Sequence, residues 1–196
     1  MKYGILLLCL SAYHIHAQSR VSGLGEYMIG VTTPDSLKGI DFKEEGQAYV
    51  KGTLTLPCTH IRIFKASKVE IKGVFVANFS LFFYDNLLFK LSCDYSDELK
   101  KSFVLNYGEG VPSLQSSIPI CTKEKGKPML IWSETWRNNG VLAIVVHAKG
   151  YNDDCVMEQI TRLSIASQQV SALTSDCELI DSHSFVEEFA NLLNGR

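Results

Sequence analysis

From Val69 to Phe83 the chain alternates with a period of two, and this run limits the fold more than any other feature. The odd positions read Val69, Ile71, Gly73, Phe75, Ala77, Phe79, Leu81 and Phe83; the even ones read Glu70, Lys72, Val74, Val76, Asn78, Ser80 and Phe82. A strand sends successive side chains to opposite faces, so the odd set is expected on one buried face. The run is long for one strand, and a bend or turn is expected near Gly73 or at Ala77-Asn78. Asp85-Asn86 makes a tight turn, after which Leu87, Phe89, Leu91 and Cys93 continue the inward face.

The remaining elements follow from local signals. Gly30-Val31-Thr32-Thr33-Pro34-Asp35-Ser36-Leu37 opens a helix, with Thr33 as cap, Pro34 at the first position and Asp35 at the positive end. Strands are expected near Tyr49–Leu56 and over 59–64. Ser96 caps a second helix whose Leu99, Phe103 and Tyr107 form one stripe and which Gly108 ends. Residues 109–126 read as a long loop. Three more strands are expected over 129–136, 141–148 and 159–167. Asn138-Asn139-Gly140 turns between the first two, and a polar turn, Gly150–Cys155, precedes the third. The segment 141–148 is apolar on both faces and so reads as central. The capping box Ser184-Phe185-Val186-Glu187 starts a closing helix. The expected class is α+β: an antiparallel sheet of about six to eight strands with two or three helices packed on one face. Its order suggests helix plus three-strand meander, twice, with halves at 18–95 and 96–196.

The chain has 196 residues, 46% hydrophobic and 20% charged, which excludes a disordered protein. A formal charge of −2 gives no electrostatic reason for nucleic acid or an anionic membrane as partner. Met1–Ala17 has the form of a secretory signal: Lys2, the apolar core Ile5–Leu10, and Ala17 before a cut at Gln18. That core is too short to span a bilayer. Bulky Leu8 before Cys9 departs from a lipobox. The expected product is a single exported domain over 18–196, periplasmic or extracellular. It keeps Cys58, Cys93, Cys121, Cys155 and Cys177 as candidate disulfide cysteines. Five allow two bridges at most, in an order that spacing leaves open, and no Cys-x-x-Cys is present.

Chemistry is sparse. There is no Gly-x-Ser-x-Gly elbow, phosphate loop or dinucleotide fingerprint. Cys58-Thr59-His60 puts a thiol and an imidazole two apart on an expected strand, read as structural. Asp153-Asp154-Cys155 with Glu158, and Asp176-Cys177-Glu178, lack the spaced calcium-loop pattern and read as solvated turns. His60, His147 and His183 are widely separated, so no metal or cofactor is expected, and His147 reads as a structural residue in an apolar strand. Asn78-Phe79-Ser80 is a formal glycosylation sequon set in a strand, a poor place for an acceptor. Trp132, Glu134 and Trp136 share one strand face. They form either core or an aromatic platform for protein or sugar, and with Pro112 and Pro119 of the long loop they are the candidate binding surface.

The Gly30–Leu37 segment, the Phe79–Leu91 hairpin and the ending Asn106-Tyr107-Gly108 together resemble small exported bacterial α+β domains. These include the outer-membrane-assembly small lipoproteins and the secreted β-lactamase inhibitor proteins. The resemblance covers about a third of the chain through short motifs. It implies a protein- or envelope-binding module and supplies no catalytic residue. Two other readings stay open. A secreted hydrolase would need at least two of His60, Glu134, Asp153, Asp154 and His147 within hydrogen-bond reach in a pocket. A carrier of a small apolar ligand would need a sizeable cavity.

Overall fold

The computed structural model describes residues 20–37, 42–45, 49–50, 57–123, 126–175 and 177–178. The signal-like segment, most of the strand expected near Tyr49–Leu56, and the helix expected after Ser184 lie outside the described residues. In chain order the strands are β1 (Gly23–Leu24), β2 (Tyr27–Met28), β3 (Lys43–Glu44), β4 (Tyr49–Val50), β5 (Ile61–Ile71), β6 (Val74–Tyr84) and β7 (Leu87–Asp94). Helix α1 (Asp97–Tyr107) follows. Then come β8 (Val111–Pro112), β9 (Ser116–Ile118), β10 (Met129–Asn138), β11 (Val141–Tyr151), β12 (Met157–Ser167), helix α2 (Gln168–Leu173) and β13 (Cys177–Glu178).

The chain is α+β and dominated by one antiparallel sheet of nine strands, more than the six to eight expected. Its order is β3-β5-β6-β7-β12-β11-β10-β8, with β9 also on β10. Two meanders, β5-β6-β7 and β10-β11-β12, therefore meet through their last strands, where Asp94 faces Arg162 and Lys90 faces Ala166. One added strand is β3, on the β5 edge; the other two come from the 109–126 segment, which is not plain loop. There β8 and β9 cover the edge of β10, whose backbone groups would otherwise stay unpaired.

Three two-residue turns build the meanders. Lys72–Gly73, Asp85–Asn86 and Asn139–Gly140 all have positive φ at both residues. That is the turn whose twist matches paired strands, and it favours Asn, Asp and Gly. The long alternating run is thus β6 plus the end of β5, split at Gly73. A second break lies opposite, where Asn78 has φ 49° and Ser67–Asn78 is missing from the pairing. Both strands change phase there while the register holds. Phe64 and Ala66, then Val69 and Ile71, are buried on β5; Val76, then Phe79, Leu81 and Phe83, are buried on β6. The expectation that Phe75 and Ala77 point inward is therefore corrected: both are exposed, and Val74 and Val76 take the inward side. On β7 the same holds for Leu87 and Phe89: a bulge at Phe82/Phe83 shifts the pairing, so Leu87 is exposed, Phe89 lies on the opposite face, and Leu88 joins Leu91 and Cys93 on the inward one.

The larger core joins Leu81, Phe83, Leu91, Cys93, Val145, Leu163 and Ile165 of the sheet to Leu99 and Phe103 of α1 and to Leu24 and Tyr27. Ser96 accepts a bond from the Leu99 N–H and so caps α1 as the sequence indicates. The opposite sheet face carries Met129, Ile131, Ile144 and Val146 at one end and Ile61, Ile63, Phe82 and Phe89 at the other. Val170 of α2 packs on the Phe82 cluster, so the two helices do not share one face. Pro34–Leu37 forms only a 3-10 turn, because the Ser36 N–H and hydroxyl both bond the Thr33 carbonyl and close it after three residues.

Cys58 bridges Cys177, and Cys121 bridges Cys155. Cys93 lies in neither bridge; its place on the inward face of β7 buries it completely. Two disulfides accord with an oxidising compartment, and no described helix is long and apolar enough to cross a membrane.

Candidate functional site

The strand β10 that carries both tryptophans separates them. Trp136 is core: 7% exposed, edge-on to Phe103 at 5.1 Å, with its Nε1–H donating to the Gly108 carbonyl at 2.9 Å. Gly110 lies against its ring, where a Cβ would come within 2.8 Å. The binding surface expected to include Trp136 is corrected accordingly, because α1 and residues 108–110 cover that part of the sheet. Trp132, two steps along the same face, is only half-buried.

Register assembles a cluster around Trp132. It pairs with His147 of β11, which pairs with Thr161 of β12. The Trp132 and His147 rings stack at 5.0 Å and 4°. Glu134 lies diagonally from His147, and its Oε1 is 3.2 Å from His147 Nε2. From α1, Lys100 Nζ reaches the same oxygen at 3.4 Å. On the other side of the imidazole, Thr161 Oγ1 is 3.4 Å from Nδ1. Burial pushes His147 below its ordinary value, more than the opposing pull of Glu134. The imidazole is therefore neutral near pH 7, with Nε2–H donating to Glu134 and Nδ1 accepting from the Thr161 hydroxyl. Side-chain exposures of 12% and 14% place His147 and Glu134 at the margin of the core.

Tyr95 stands beside this cluster. Its hydroxyl is buried and has no hydrogen-bond partner among the described residues. Burial and then the charge of Glu134 push its phenol up. Pro112 pairs with Glu134 from the edge strand β8, a place that suits a residue without an N–H. Pro119 is exposed beyond β9, next to the bridged Cys121, and is not brought to the cluster.

The other chemical candidates do not converge with it. Pro57–His60 is a 3-10 turn rather than a strand; Cys58 is spent in a disulfide, and His60 pairs with Asp85. Asp154 meets Lys123 at 3.7 Å on the surface, Glu158 accepts from Asn152, and Cys155 is bridged. The side chains of Asp176, Glu178 and His183 lie outside the described residues. Among the described residues, no group of three His, Cys, Asp or Glu side chains is placed to hold a metal. The cleft lined by Leu24, Ile71, Leu99, Phe103 and Tyr107 holds only ≈ 20 Å³, room for one water rather than an apolar ligand.

Reading the sequence missed Lys100, Tyr95 and Thr161. The signal for His147 was present: a two-residue turn at Asn139–Gly140 pairs Asn138 with Val141 and hence Trp132 with His147. The chain matches no protein-family model, and neither a curated protein nor a solved structure is detectably similar to it.

Proposed function

We propose that this chain is an exported, non-enzymatic binding module whose receiving surface is the sheet face around Trp132. The observation that carries the reading is the half-buried Trp132–His147 stack on the face of β10 and β11, beyond the part that covers Trp136. A large aromatic group held rigid yet accessible suits recognition, because little entropy is lost when it is covered. The ligand is a protein or a component of the cell envelope. The signal-like Met1–Ala17 and the two disulfides support export, with cleavage before Gln18. N-terminal sequencing of the protein recovered outside the cytoplasm should begin at or within two residues of Gln18. Crosslinking in the native organism should capture one dominant partner with the unaltered chain and lose it with Trp132→Ala. Capture that does not depend on Trp132 sinks the assignment of the surface.

A second reading is favoured by one geometry, the chain of contacts Thr161–His147–Glu134. A hydroxyl on a neutral imidazole that is itself held by a carboxylate is the arrangement of a hydrolytic nucleophile and base. Turnover of an ester panel, abolished by both Thr161→Val and His147→Gln, would replace the first reading. No turnover removes the second.

A further inference from the structure

We propose that the Trp132 face takes a pyranose ring, which makes the ligand of this module a carbohydrate. The inference rests on the reading above that this face is the receiving surface. Trp132, His147 and Thr161 form one cross-strand row, with Glu134 one step along the same face. Neighbouring strands lie about 4.8 Å apart and same-face residues about 7 Å apart, so the patch measures roughly 7 by 10 Å. That is the footprint of one to two pyranose rings, too small for a protein interface on its own.

The chemistry matches the dimensions. A pyranose presents an apolar C–H face and a rim of hydroxyls, each both donor and acceptor. His147 covers one side of the Trp132 ring, and no other ring stacks on Trp132 among the described residues. Because Trp132 is only half-buried, part of the indole is open to the sugar's C–H face. Both contacts to Glu134 fall on Oε1. Its Oε2 receives neither and can accept from two adjacent sugar hydroxyls. Lys100, with 45% of its side chain exposed, supplies donors. One carboxylate balanced by one ammonium leaves the cluster without net charge, which favours a neutral ligand over a phosphate or an acidic peptide.

The test applies the exported protein to a glycan array and titrates its tryptophan fluorescence with cellotriose, chitotriose and maltotriose. Binding to at least one neutral glycan is expected. Trp132→Ala should weaken it by about 10-fold or more, about 1.4 kcal/mol. Trp132→Phe should keep most of it, since a ring remains, and guards against loss through misfolding. Glu134→Ala should also weaken binding, with Glu134→Gln less affected. A blank array together with a Trp132-dependent protein partner overturns the carbohydrate assignment and leaves the receiving surface standing. Glycan binding indifferent to Trp132→Ala overturns both.

Discussion

His147 shows how burial sets a residue's chemistry. Folding lowers its affinity for a proton, so on acidification the unfolded chain takes up that proton before the folded one does. Its contribution is full above the ordinary value of 6.5 and is lost as pH falls through that value towards the lower folded one. Glu134 and Lys100 are the charged groups that act on it. Urea midpoints should therefore fall between pH 7.5 and 5, and His147→Gln should reduce the fall; an unchanged slope would contradict this. The tryptophans part at the same scale. Trp136→Ala should cost about 3–5 kcal/mol, as for a fully packed aromatic. Trp132→Ala should cost about 1 kcal/mol, the order of a stacked pair. Denaturant unfolding of the two variants side by side gives the comparison.

Among the elements, the hairpins depend on turn chemistry and α1 on its cap. Gly140 has φ 80° and open space where an added Cβ would lie, so Gly140→Ala incurs only the left-handed penalty. The expected loss is about 1–2 kcal/mol, read from the shift in thermal midpoint. Ser96→Ala removes the acceptor for the Leu99 N–H and should cost about 1 kcal/mol. The phase change at Ser67 and Asn78 is the device that keeps Val69, Ile71 and Val76 in the core as the hairpin bends. Alternation announced a buried face and the bend, but the parity beyond it depends on a matched break in two strands, which neither strand's own sequence reveals.

For the whole molecule, the bridges tie distant chain to the sheet. Cys58–Cys177 spans 119 residues, and Cys121–Cys155 fastens the end of the β9 segment to the turn before β12. Replacing the first pair should lower stability by about 2–4 kcal/mol, because a long loop regains freedom when unfolded. Thiol titration of the chain after removal of residues 1–17 should find none reactive when native and one, Cys93, on denaturation. A reactive native thiol would mean that the β7 core is open.

The amino-acid sequence by itself determined the local structure: the turns at Asp85–Asn86 and Asn139–Gly140, the bounds and cap of α1, and the alternation that makes strands. These are legible because each depends on residues within a few positions of one another. Only the tertiary structure decided that β7 pairs with β12, which cysteines bridge, and which tryptophan is buried. It alone brought Lys100 of α1 and Thr161 of β12 to Glu134 and His147. Those outcomes rest on contacts between remote segments, where burial and register are set jointly and no single stretch of sequence carries the information.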